Sequence, residues 1–150
     1  MNSFIRTSSG NKDFQFLVAL LDKELSVRDG DEHAFYSQFN KIANIRNVVI
    51  FYVDEKAVGA GGFKEYLPGK VEIKRMFVLP EHRGKGIAFQ ILQELEKWAG
   101  ELNYSECILE TGKKQPEAIA LYQKSGYNII KNYGQYEKIE NSVCMSKSIY

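Results

Sequence analysis

Residues 70–111 constrain the fold more than any other stretch of the chain. KVEIKRMFV (70–78) alternates in its first half and reads as a strand, which LPEHRGKGIA (79–88) interrupts. A helical stripe follows, with Ile87, Ile91, Leu95, Trp98 and Leu102 opposite Gln90, Glu94, Lys97 and Glu101. ECILETG (106–112) is short, apolar and Gly-terminated, the pattern of a buried strand. Strand, helix and strand in this order form a right-handed crossover with the two strands locally parallel.

The flanking segments supply the rest of a sheet. FIRTS near the start reads as a short strand. Phe14, Leu17, Leu21 and Leu25 recur at helical spacing behind Asn11 or Asp13 as cap. DGDEHAFYSQFNKI, entered from Asp29-Gly30-Asp31, reads as a second short helix. NVVIFYV (47–53) and VGAGGFKEY (58–66) are joined by the hairpin-sized gap Asp54–Ala57, and Leu67-Pro68-Gly69 marks a turn. Asn103 breaks the long helix. Pro116 opens a further helix that Gly126 ends, and two last strands lie around YNII and SVCMSKSI. The class is a mixed α+β sheet, in one domain over residues 1–150.

Bulk properties narrow the function. A net charge of +1 gives no general affinity for polyanions, so nucleic acid is not an expected partner and any phosphate site is local. No apolar run approaches the ~20 residues of a membrane span, and MNSFIRTSSGNKDF lacks a signal-peptide core, so a cytoplasmic protein is expected. Cys107 and Cys144 have no metal-ligand spacing and read as reduced structural thiols. His33 and His82 are isolated and read as surface residues, so no metal is expected.

The interrupting loop carries the chemistry. The first amides of a helix lack internal partners, and the helix dipole adds about half a positive charge there. Gly84 and Gly86 remove the Cβ atoms that would hold an anion off those amides, and Arg83 and Lys85 add charge. A pyrophosphate suits this arrangement. A Walker A loop is excluded because Ile87 follows Gly84-Lys85-Gly86, and a dinucleotide fingerprint fails because residue 89 is Phe89. A Gly-rich turn without ligand stays open on the loop alone.

Arg83-Gly84-Lys85-Gly86-Ile87-Ala88 fits R/Q-x-x-G-x-G/A, and RMFVLPEHRGKGIA with AIALYQKSGY (118–127) resembles the two signatures of the GNAT N-acetyltransferase superfamily. The resemblance spans roughly residues 45 to 130, and the element order agrees with it. It implies a largely antiparallel sheet of six to seven strands, splayed at strands 4 and 5 and flanked by about four helices. It also implies acetyl-CoA as co-substrate, held by Met76, Phe77, Val78, Arg83, Gly84, Lys85, Gly86, Ile87, Ala88, Gln115 and Tyr122. Where the family often has Asn, this chain has Gln115, a longer arm with the same amide.

For the chemistry, an amine with pKa ~10.4 is only about one part in 10³ neutral at pH 7. By position Glu72 looks like the general base of relatives with a glutamate on this strand; its ordinary alternative is an ion pair with Lys70 or Lys74. Glu72 and Val78 share strand parity unless a bulge intervenes. The amide at Val78 is implied as donor to the thioester carbonyl, and Tyr122 as general acid, with core packing as its alternative. Phe35, Tyr36, Tyr66, Glu110 and Tyr133 are candidate acceptor-binding residues, since aromatics and acids suit a cationic amine. The expected reaction is direct acetyl transfer to a small-molecule or amino-acid-like primary amine, by a monomer or homodimer. A protein lysine or N-terminus as acceptor, and a non-catalytic acyl-CoA sensor, are the alternatives.

Overall fold

The computed structural model describes residues 1–29 and 45–149. Its strands are β1 (Asn2–Thr7), β2 (Asn47–Val53), β3 (Lys56–Leu67), β4 (Lys70–Val78), β5 (Glu106–Gly112), β6 (Asn128–Ile130) and β7 (Ser142–Ser148). Its helices are α1 (Lys12–Asp29), α2 (Ile87–Glu101) and α3 (Pro116–Lys124), with single 3₁₀ turns at Pro80–His82 and Gly134–Tyr136. The helix expected over DGDEHAFYSQFNKI, with Phe35 and Tyr36, lies outside the described residues.

The strands form one sheet in the order β1-β2-β3-β4-β5-β7-β6, antiparallel except for β4 against β5. That parallel pair is short: Lys70↔Glu106, Val71↔Cys107 and Glu72↔Ile108, after which the strands part. A bulge accompanies the parting. Between the pairs Gly62↔Lys74 and Ala60↔Phe77, β3 carries one residue, Gly61, while β4 carries two, Arg75 and Met76. Arg75 sits at φ +60°, in the left-handed region. Such an insertion bends and twists its strand, here away from β5.

α1 covers one face of the sheet and α2 the other. Phe14, Leu17, Val18 and Leu21 of α1 are buried, as are Ile87, Ile91, Leu92, Leu95 and Ala99 of α2. At about 1.5–3 kcal/mol per large buried side chain, this packing decides the α2 helix, since a 15-residue helix alone is marginal. The expected stripe is shifted at its end. Leu102 is 48% exposed because the helix stops at Glu101 and Asn103 turns left-handed at φ 71°.

Two further local features have clear causes. The β2–β3 connection is a two-residue turn, Asp54-Glu55, with φ of 49° and 69°, which suits the twist of a hairpin. Asn11 caps α1, its Oδ1 accepting from the amides of Asp13 at 2.8 Å and Phe14 at 3.1 Å. Asn11→Ala is expected to cost about 1 kcal/mol, read as a lower urea midpoint with unchanged slope.

Candidate active site

The gap between β4 and β5 opens into two cavities. The larger, about 530 Å³, lies between the end of β4, the 80–86 loop, the start of α2 and the flank of α3. Met76, Phe77, Val78, Arg83, Gly84, Gly86, Ile87, Ala88, Gln115 and Tyr122 all line it, and exposed Lys85 does not. The smaller, about 120 Å³, is walled by Glu72, Lys74 and Arg75 of β4, Glu110 and Thr111 of β5, and Tyr136. Leu21, Met76, Gln115, Ala118 and Tyr122 line both, so the cavities meet at these side chains.

The larger cavity has an open helix start. α2 has no side-chain cap and no acid in its first turn, and its N-cap Gly86 sits at φ 80°. Among the described residues, the amides of residues 84–89 have no main-chain acceptor, whereas that of Arg83 bonds Pro80. A Cβ at Gly84 or Gly86 would meet nothing within 4 Å, so the surface over the amides is open. The residues present therefore fit a diphosphate held by main-chain donors.

Arg83 differs from its expected part. Its Nε donates to the Val78 carbonyl at 2.8 Å, its Nη2 to Glu24 at 2.8 Å, and the guanidinium lies over the Phe77 ring. The parting of β4 leaves the Val78 carbonyl without a strand partner, and Arg83 supplies one. Leu79 donates to Val58 of β3 at 2.8 Å, so strand alternation turns the Val78 N–H away from β3, toward the gap. His82, expected at the surface, is half-buried in the same wall with its Nδ1 unpartnered among the described residues.

Of the expected acceptor residues Glu110 lines the smaller cavity, and Tyr133 and Tyr66 lie behind its Glu72 wall. Glu72 is 4% exposed; its Oε2 accepts from the Tyr133 hydroxyl at 2.7 Å and its Oε1 lies 3.6 Å from Lys74 Nζ. The ion pair considered from sequence is thus present, with Lys74 rather than Lys70, which faces Glu106. Tyr133 packs edge-on against Tyr66 at 5.1 Å and Tyr136 at 5.8 Å. Burial pushes the Lys74 ammonium down, with Glu72 opposing. Burial pushes the Tyr133 and Tyr136 phenols up, reinforced by Glu72 and Glu110 respectively.

The bulge changes the parity. Glu72 and Lys74 pair with Lys64 and Gly62 on the α1 face, whereas Val78 pairs with Gly59, whose Cβ position faces Ile87 and Ile91 of α2. Glu72 and the Val78 side chain therefore lie on opposite faces. Only the Val78 main chain reaches the gap. Tyr122 is 7% exposed and stacks edge-on against Tyr127, but its hydroxyl has no hydrogen-bond partner among the described residues. Burial, then Glu110, pushes that phenol up, so it stays protonated.

Lys74 and Arg75 were not among the residues singled out for the site. Their signal is three charged residues within four positions, Glu72, Lys74 and Arg75, in a strand read as half-alternating, and all three are buried. No group of three or more His, Cys, Asp or Glu among the described residues is placed to hold a metal, and no described helix is long and apolar enough to cross a membrane.

Residues 14–127 match the Acetyltransferase (GNAT) family. The chain belongs to the GNAT acetyltransferase family. It is 30% identical to the uncharacterized N-acetyltransferase YjgM of Escherichia coli over 73% of this chain and 66% of that protein. It is 38% identical to the IAA acetyltransferase of Azospirillum brasilense over 54% of this chain and 53% of that one. The matches thus span between half and two thirds of those relatives. Among solved structures, a Klebsiella pneumoniae protein named as an acyl-CoA N-acyltransferase superposes with TM-score 0.84 at 25% identity, covering 100% of this chain and 99% of that one. The PaiA N-acetyltransferase of Thermoplasma acidophilum, solved with coenzyme A, shares the GNAT fold at TM-score 0.73 and 18% identity, over 99% of each chain.

In this GNAT chain both thiols are buried, and burial pushes Cys107 up to about 12 and Cys144 up to about 11. Each stays a thiol far above neutral pH, which removes nucleophilic thiolate. Iodoacetamide at pH 8 is expected to leave both unlabelled in the native protein and to label both in urea, read by intact mass.

Proposed function

We propose that this chain transfers an acetyl group from acetyl-CoA to a primary amine of a small or amino-acid-like molecule, directly, with both substrates bound. The observation that carries this reading is the junction at Tyr122 and Met76 of two unlike cavities. One has a wall of unpaired helix amides, and the other sets the carboxylates of Glu72 and Glu110 beside Lys74 and Arg75. The relatives named N-acetyltransferases and the coenzyme A held by the Thermoplasma protein support the choice of donor.

The amides of residues 84–89 bind the diphosphate, and the parted strands receive the arm that ends in the thioester. Acetyl-CoA supplies an activated acyl group. Glu72 takes the proton from the acceptor ammonium, with its second oxygen held by Tyr133. The neutral amine then forms the C–N bond as the C–S bond breaks. The Val78 N–H meets the charge that develops on the carbonyl oxygen, as a donor fixed before the reaction begins. Tyr122 gives its phenolic proton to the departing sulfur and regains one from the amine nitrogen through solvent. With both thiols buried, no covalent relay is needed.

A small acceptor is favoured because the second cavity is compact, about 120 Å³, with Tyr136 in its wall packed against Tyr133. The deciding experiment supplies the protein and acetyl-CoA to a mixed amine library. One or more amines should become heavier by one acetyl, and calorimetry should find coenzyme A bound. Absence of coenzyme A binding rejects the reading. Tyr122→Phe is expected to lower kcat by about 10²-fold or more, followed as thiol release, with coenzyme A affinity retained. Glu72→Gln should move the rate profile to higher pH, because free amine must then come from its own ionisation near pH ~10.

A further inference from the structure

Arg75 bears two separate costs. It is an arginine at φ +60°, a region that disfavours residues with a Cβ. It is also 6% exposed, with its Nε buried and lacking an acceptor among the described residues. An unpaired buried donor loses its hydration without replacement, and the cost is greater when it carries charge. Both costs fall on a side chain that lines the acceptor cavity.

The bulge explains the placement. In a regular strand residue 75 would share the face of Ile73, whose partner Phe63 packs edge-on against Trp98 of α2. The extra residue turns Arg75 to the α1 face instead, where Nη2 donates to Asp22. Asp22 does not line the cavity and is half in water, so it anchors the outer part of the guanidinium. The Nε, next to the aliphatic stem, has no acceptor among the described residues. Strained positions and bulges that re-aim a side chain are features of binding sites.

We propose that Arg75 binds a carboxylate of the acceptor, so that the amine acetylated here belongs to a molecule with a free carboxyl group, an amino acid. The inference rests on the acyl-transfer reading of the same cavity. Four charged side chains line that cavity, Glu72 and Glu110 against Lys74 and Arg75. A zwitterion enters this balanced set without adding net charge, its amine toward the carboxylates and its carboxylate toward Arg75. A simple alkylamine leaves the Arg75 Nε unpaired, and a phosphate dianion adds repulsion with Glu72 and Glu110. The planar guanidinium matches a carboxylate edge to edge, which an ammonium does not.

The test compares each L-amino acid with its primary amide on the wild-type protein. The amide has the less basic amine, so uncatalysed reactivity favours it and the comparison is conservative. At least one amino acid should exceed its amide in kcat/KM by tenfold or more. In Arg75→Gln that ratio should fall at least tenfold, chiefly through KM, with coenzyme A affinity unchanged by calorimetry. If that variant does not fold, Arg75→Lys, which keeps charge and loses the planar edge, takes its place, and the wild-type ratio alone still decides. Amides or plain amines used as well as the acids, or a ratio untouched by either substitution, overturn the proposal. In that case intact coenzyme A binding leaves the acetyltransferase reading standing; its loss removes both.

Discussion

The parting of β4 from β5 after Glu72↔Ile108 is the constraint on which the remaining features depend. A strand that leaves its neighbour exposes main-chain donors and acceptors that need other partners. In this chain those groups are used rather than hidden. The Val78 carbonyl goes to Arg83, and the Val78 N–H points into the gap. The same bulge sends Arg75 toward α1, beside Glu72 and Lys74, while Met76 packs over Gly61, where a Cβ would stand 2.3 Å from the Met76 sulfur. Gly61 is thus the concession on β3 that lets the bulged strand carry a large side chain inward.

The helix that supplies the anion site shows a related trade. An N-cap contributes about 1 kcal/mol to a helix, and α2 forgoes it. Five buried side chains on its inner face outweigh that omission several times over, and Arg6 of β1 adds bonds to Glu94 and Glu101 from outside. The helix is anchored along its length so that its first turn can remain unsatisfied. A surface helix with less buried area would need the cap, and the cap would occupy the amides.

The elements of this fold were legible where one local pattern decides them. β4, β5 and the start of α2 follow from alternation, a short apolar run and the Gly84–Gly86 break. The hairpin gap at Asp54–Ala57 was legible too, but its tightening to the two-residue turn Asp54-Glu55 was not, because neither residue is the Asn or Gly that usually marks left-handed pairs; the strands around it impose the conformation. The cofactor side of the site was legible through its motifs, yet the inward turn of Arg83 depends on Glu24, far away in sequence. The acceptor side was half legible. Tyr133 meets Glu72, Tyr66 packs on Tyr133 and Glu110 lines the cavity of Glu72, but the entry of Arg75 into that cavity depends on a bulge that no local pattern marks.

Burial of Glu72 as a charged group is possible only because partners meet it, and those partners bear on its proposed task. Its Oε2 holds the Tyr133 hydroxyl and its Oε1 faces Lys74, yet two carboxylate oxygens offer about four acceptor positions, so capacity for an incoming ammonium remains. In the proposed reaction a proton arriving on Glu72 cancels the negative charge that opposes the desolvation of Lys74. The ion pair with Lys74 and the proposed role of Glu72 are therefore compatible rather than alternative.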